Sequence, residues 1–131
     1  MIVDTSAIYA IIKQEDDGAV FQKAMINATG QLRISAGTML EATVVAARAM
    51  EPAVHNQLQE LVADLNLEIV DFTAAQAQIA MAAYRKFGRG SGHPARLNFG
   101  DCFTYALTKE SGEPLLYKGE DFRKTDIDSF L

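Results

Sequence analysis

An α/β fold with a central parallel sheet is predicted by two patterns in this sequence. Short apolar runs of strand length alternate with longer segments of helical periodicity, and the junctions between them carry cap and turn residues. Strand one is Met1 to Asp4, apolar except at its last residue. Ser6 is a candidate N-cap for a helix to about Lys13, and Asp17 for a second to about Ala28, where Asn27 and Gly30 end it. Leu32 to Ser35 reads as strand two. From Thr38 onward Leu40, Val44, Val45, Ala47, Met50, Val54, Leu58, Leu61, Val62 and Leu65 recur at helical spacing. Glu51-Pro52 divides that run into a helical hairpin, because proline favours a first helical turn. Strand three is Leu67 to Val70. Thr73 then caps an alanine-rich helix to about Phe87, whose small side chains permit close packing on the sheet. Gly88, Gly90, Gly92 and Pro94 make an irregular loop, Asn98 caps a helix from Phe99 to Lys109, and Ser111-Gly112 stops it. Leu115 to Tyr117 is strand four, and the tail from Gly119 to Leu131 is loop, one turn and a short edge strand at Ile127.

A length of 131 residues suits one domain spanning 1–131, able to bury roughly two thirds of the surface of the unfolded chain. With 49% apolar and 22% charged residues the composition is that of a soluble globule. Cys102 is the single cysteine, which excludes an internal disulfide and a cysteine-rich zinc site and suits a reducing compartment. No uncharged apolar stretch is long enough to span a bilayer and no secretory pattern opens the chain, so the expected location is cytoplasmic, with no membrane partner.

The net charge of -5 argues against a general nucleic-acid coat protein, which needs surplus Lys and Arg to neutralise phosphates. Its distribution is uneven. Between Phe72 and Gly100 there is no acid, and that stretch holds Arg85, Lys86, Arg89, His93 and Arg96. It reads either as a solvated helix end and loop or as a patch that faces phosphates.

Carboxylates fall at telling places in this architecture. Ligand sites of open parallel sheets form beyond the carboxyl ends of the strands. Asp4 ends strand one, Glu41 opens the helix after strand two, and Asp121 follows strand four. Asp101 opens the helix before strand four, and a plain crossover is expected to carry it away from that edge. Converging carboxylates repel one another unless a cation sits between them, and hard oxygen donors suit Mg²⁺ or Mn²⁺. Two such ions about 3.5–4 Å apart are suited to phosphodiester displacement. Local structure offers a competing account. Thr38 to Glu41 matches a capping box, Asn98 to Asp101 places an acid where the helix dipole favours it, and Asp121 suits a turn. Asp4 resists such an account, since an acid closing an apolar strand is costly to bury without a partner.

Four segments together resemble a known family. These are Met1-Ile2-Val3-Asp4-Thr5-Ser6-Ala7, Thr38 to Ala42, the run His93 to Ala106 containing Asn98-Phe99-Gly100-Asp101-Cys102, and Leu115 to Phe122 with Thr125-Asp126-Ile127. In order and spacing they resemble the VapC-type PIN domains, toxins of bacterial VapBC toxin-antitoxin pairs. The resemblance implies a PIN-like three-layer α/β/α sandwich with a central parallel sheet. It implies that Asp4, Glu41, Asp101 and Asp121 form a metal and catalytic site, with Ser6 and Asp126 at supporting positions. It further implies an endoribonuclease using one or two Mg²⁺ ions, or Mn²⁺ as substitute, that leaves a 5′-phosphate and a 3′-hydroxyl. The implied partners are RNA as substrate, a second copy in a homodimer, and a VapB-type antitoxin through which alone operator DNA is reached.

Other residues fit plainer roles. Cys102 lacks a neighbouring base and reads as a small buried hydrophobe. His93 is either an RNA contact beside Arg89 and Arg96 or a satisfied loop histidine. Gly88 to Gly92 follows a helix and not a strand, which excludes a dinucleotide fingerprint or P-loop and leaves flexibility as its use. The apolar surplus between Leu40 and Leu65 is either a partner surface or two-sided core packing. A phosphatase would need an acid where Ser6 stands, and a receiver domain an acidic pair where only Asp4 stands.

Overall fold

Side-chain alternation along the two central strands sets the layering. In the computed structural model, which describes residues Met1–Leu131, β1 (Ile2–Val3) and β4 (Leu115–Leu116) are fully buried on both faces. Ile2 and Leu115 point into one core and Val3 and Leu116 into the other, as a period of two requires. At about 1.5–3 kcal/mol for each fully buried aliphatic side chain, these strands favour a covered position at the centre of a sheet. With β2 (Arg33–Ser35) and β3 (Glu68–Val70) they form a four-stranded sheet in the order β3-β2-β1-β4, parallel throughout.

The core containing Val3, Ile34 and Leu116 is closed by α1 (Thr5–Ile12), α2 (Gly18–Ile26), α3 (Ala36–Arg48) and α4 (Pro52–Asp64). The opposite core is closed by α5 (Ala74–Phe87) and α6 (Phe99–Ser111), through Ala83, Phe87, Tyr105 and Leu107. The result is the expected three-layer α/β/α sandwich.

α6 settles the position of Asp101. Its Thr104 bonds to Asp4, just past β1, while the residues after its last turn lead to Glu113, whose carboxylate meets the amino group of Met1. The helix therefore runs antiparallel to the strands, from their carboxyl edge to their amino edge. The expectation that a crossover carries Asp101 away is corrected here. A helix that returns the chain to begin another parallel strand must itself begin where the earlier strands ended.

Three helix starts also differ from expectation. Ser6 does not cap α1. Asp4 does, accepting the Ser6 amide at 3.0 Å, because its carboxylate is the stronger acceptor and already sits at the end of the strand. α3 begins two residues before Thr38, with Ser35 as its cap, so Thr38 and Glu41 form no capping box. Asp17 precedes α2 but makes no cap bond, because its side chain pairs with Lys118 at 2.8 Å. The tail joins the sheet at Ser129 and not at Ile127: Leu115 donates its amide to Asp128 and accepts from Phe130. No helix is long and apolar enough to cross a membrane.

Candidate metal centre

Asp4 closes β1 and opens α1, so one residue stands at both a strand end and a helix cap. It is 6% exposed, and internal donors satisfy both of its oxygens. Oδ2 accepts the Ser6 amide at 3.0 Å and the Ser6 hydroxyl at 2.7 Å, while Oδ1 accepts the Thr104 hydroxyl at 2.7 Å. Ser6 Oγ also accepts the Lys118 amide at 3.0 Å, which ties the loop after β4 to the same point. A further tie comes from the Lys118 ammonium, which pairs with Glu15 and Asp17 in the α1–α2 connection.

Asp101 is the third helical residue of α6 and takes part in a full capping box. Its Oδ2 accepts the Asn98 amide at 2.9 Å, and Asn98 accepts the Asp101 amide at 2.8 Å. Its carboxyl is pushed up to about 7. Burial is the main cause, the Asn98 amide opposes it, and the charges of Asp4, Asp121 and Glu41 add to it. Glu41, in the second turn of α3, is also raised, first by burial and then by Asp4, with the Thr5 hydroxyl opposing. Gly100 makes room for it. A methyl group there would overlap the tip of the Glu41 side chain, which would have to swing away from the first turn of α6.

Asp4, Glu41, Asp101 and the exposed Asp121 thus come together at one end of the sheet, and no Lys, Arg or His pairs with any of them. No three of these side chains stand at the spacing of ligands around one ion in this structure. Each of the two more buried acids is held by the chain's own donors, Asp4 by Ser6 and Thr104 and Asp101 by Asn98. As a donor set they fit a hard divalent cation, being all carboxylate oxygen.

The remaining expected residues fall elsewhere. Asp126 does not reach the cluster, and instead accepts the Tyr105 hydroxyl at 2.8 Å and pairs with Lys109 at 3.1 Å along the flank of α6. His93 packs edge-on to Phe87, and its Nδ1 accepts the Ala95 amide at 3.1 Å, so the loop uses it structurally. Arg89 and Arg96 are exposed and make no ion pair. The ends of the glycine-rich loop are joined: Arg89 donates to Leu97 at 3.0 Å and Leu97 to Phe87 at 2.9 Å. Burial and the adjacent Asp101 push the Cys102 thiol up to about 11, which excludes a ready thiolate. The hairpin surplus divides: Ala42, Ala46 and Leu58 are buried, whereas Leu40 is 64% and Met50 90% exposed. Sequence reasoning missed Thr104, Thr38 and Gly100 as parts of the site: the two threonines stand one turn from an acid and Gly100 directly before one, and nothing else marks them locally.

An α/β/α sandwich with acidic residues gathered at the carboxyl edge of a four-stranded parallel sheet is the fold of a PIN domain, as comparison with known proteins shows. Residues 1–128 match the PIN domain. Ribonuclease VapC28 of Mycobacterium tuberculosis is 47% identical over 131 residues, covering 100% of this chain and 98% of that protein. Ribonuclease VapC42 of the same species is 43% identical over 127 residues, or 97% of this chain and 96% of that protein. Among solved structures, the Mycobacterium tuberculosis toxin VapC20, described as cleaving the sarcin-ricin loop, superposes with a TM-score of 0.74 at 15% identity, covering 96% of this chain and 95% of the other. A toxin-antitoxin complex from Klebsiella pneumoniae gives 0.66 at 18% identity, covering 92% and 88%. The chain belongs to the PIN-domain family, in its VapC ribonuclease branch.

Proposed function

We propose that this chain, as a single domain of residues 1–131, is the toxin of a type II toxin-antitoxin pair. It acts as an endoribonuclease that hydrolyses RNA phosphodiester bonds with Mg²⁺, or with Mn²⁺ in its place. The observation that carries this reading is the gathering of four carboxylates from separate elements at one edge of the sheet with no protein cation among them, the charges of Asp4, Asp121 and Glu41 all acting on Asp101. Relatives at 43–47% identity that are named ribonucleases support the choice of substrate class.

Asp4, Glu41, Asp101 and Asp121 would hold one or two ions. When bound, such an ion supplies positive charge that polarises a phosphoryl oxygen and acidifies water. Ser6 and Thr104 hold the Asp4 carboxylate in one orientation. Asp101, whose carboxyl is pushed up by burial and then by the neighbouring acids, would have to give up its proton to hold a cation. Arg89 and Arg96 are free to take the phosphates of a bound strand. His93, with Nδ1 accepting from Ala95, carries its ring proton on Nε2 and offers a donor to the RNA. Asp126 braces α6 through Tyr105 and Lys109.

The partners in this reading are a VapB-type antitoxin, which silences the enzyme and through which alone operator DNA is reached, and a second copy in a homodimer. Two apolar surfaces suit them. One is a groove of about 620 Å³ between α5 and α6 that includes Phe72, Met81, Tyr84, Phe99 and Phe103. The other is the outer stripe of α3, with Leu40 and Val44 exposed. The location is cytoplasmic.

The deciding experiment is cleavage of RNA by purified Asp4→Asn protein in Mg²⁺. An amide is a poor ligand for a hard cation, so activity should fall by more than the roughly 10–100-fold typical of losing an outer-shell partner, with the fold intact. Cleavage at the wild-type rate would overturn the assignment.

A further inference from the structure

Two threonines, both fully buried and 66 residues apart in sequence, meet beside Asp4. Thr104 Oγ1 lies 2.7 Å from Asp4 Oδ1 and 2.9 Å from Thr38 Oγ1. Each hydroxyl has one hydrogen, and an ionised carboxylate only accepts. Thr104 therefore gives its hydrogen to Asp4, and the bond between the threonines must be donated by Thr38. The chain has one direction, Thr38 to Thr104 to Asp4, and each bond polarises the next.

Placement adds a second effect. Thr38 lies three residues before Glu41 on α3, and Thr104 three residues after Asp101 on α6, so each hydroxyl shares a helix face with one acid. The 2.9 Å bond between them holds the two acid-bearing helices together one turn away from the carboxylates. Meanwhile Ser6 grips Asp4 Oδ2 from the opposite side, so the carboxylate plane is fixed at both oxygens. We propose that Thr38 and Thr104 are positioning residues forming a hydroxyl clasp that orients Asp4 and sets the spacing of Glu41 and Asp101 for a divalent cation. This rests on the reading of those carboxylates as metal ligands.

A purely structural role makes a different prediction. Two buried hydroxyls that merely satisfy each other would affect stability and leave cation affinity alone. The test is Mn²⁺ titration by calorimetry, with circular dichroism to monitor the fold, on wild type, Thr104→Val, Thr104→Ser, Thr38→Val and the double valine variant. Thr104→Val keeps the shape and removes the donor, so Mn²⁺ should bind about 10–100-fold more weakly. Thr104→Ser keeps the donor and should bind close to wild type. Thr38→Val should lose less. The double variant should be no weaker than Thr104→Val alone, because Thr38 reaches Asp4 only through Thr104. A folded Thr104→Val protein with wild-type Mn²⁺ affinity overturns the clasp, as does a double variant whose loss is the product of the two single losses. Should Thr104→Val fail to fold, an unchanged affinity in Thr38→Val overturns it equally. If wild type itself takes up no Mn²⁺, the metal assignment fails and the clasp falls with it, a result distinguishable from failure of the clasp alone.

Discussion

Both ends of the sheet collect acidic residues, and they treat them in opposite ways. At the amino edge, Glu113 meets the Met1 amino group at 2.8 Å and Arg33 at 3.1 Å, and Arg33 also meets Glu68 at 3.0 Å. Burial pushes Glu113 up, yet the amino group and Arg33 outweigh it and hold the carboxyl below its usual value. At the carboxyl edge burial pushes in the same direction, but the neighbours of Asp101 are Asp4, Asp121 and Glu41, and its carboxyl rises to about 7. Burial weighs far more on Asp101 than on Glu113, and the sign of the neighbouring charge adds to it at one edge and reverses it at the other. One edge is neutralised from within the chain, while at the other no Lys, Arg or His pairs with the acids, and the proposed function has a divalent cation supply the missing charge.

The sharpest way to break this contrast is to remove acids from the carboxyl edge. Asp101→Asn and Glu41→Gln should each cut Mg²⁺-dependent RNA cleavage by more than about 100-fold, beyond the loss typical of outer-shell changes. Asn at 101 still offers an oxygen to the Asn98 amide, so the cap should survive and circular dichroism should show an unchanged fold. Retained cleavage in both would mean that the edge is charged for some other reason.

Next in size is a dependence of stability on pH. Asp101 has a folded-state pKa of about 7, above its ordinary value, so the native state binds the proton more tightly than the unfolded chain. Without divalent metal, its contribution is fully present below the ordinary aspartate range and is lost as pH rises through about 7. The loss is at most on the order of 4 kcal/mol, by the standard conversion of pKa into free energy. Thermal melts in EDTA from pH 4 to 8 should show wild type weakening while Asp101→Asn changes less. Added Mn²⁺ should then raise wild type more than the variant, as binding to the native state alone requires. Equal gains in the two proteins would remove Asp101 from the cation site.

The amino edge supplies the converse. Glu113→Gln should cost about 1 kcal/mol at neutral pH, a charge-assisted bond discounted for its partial exposure. It should leave Mn²⁺ affinity and cleavage unchanged. Because the Glu113 pKa is lowered in the fold, the stability it gives is present above the ordinary glutamate range and is lost on acidification, opposite to Asp101. A change in cleavage by this variant would show that the two edges are coupled. The smallest effect belongs to the exposed basic loop. Replacing Arg89 and Arg96 with Gln should flatten the salt dependence of RNA binding by about 0.7 log unit per log unit of salt for each lost phosphate contact. An unchanged slope would place the RNA elsewhere.

The same contrast explains what was legible in the sequence. The strands, the break at Pro52, the Thr73 cap and the Asn98–Asp101 box rest on residues within four positions of one another, and local chemistry determines them. The Thr38–Glu41 segment has the letters of a capping box, but Ser35 takes the cap and Thr38 turns to Thr104, a partner that no local window contains. Asp17 likewise leaves its helix for Lys118, 101 residues away. The acids at the strand ends were legible because the sheet alone places them. Asp101 required the direction of α6, and the hydroxyls beneath the cluster required its packing against α3.

The tail has one more effect. By bonding to Leu115 on both sides, Asp128 and Phe130 occupy the outer rim of β4, leaving β3 as the sheet's unpaired margin. That margin is three residues long and begins with Glu68, a charged residue held by Arg33. Short length and charge both discourage a foreign strand from annealing. The chain therefore offers other polypeptides little backbone to pair with, and half of that protection comes from its last few residues, which contribute none of the clustered acids.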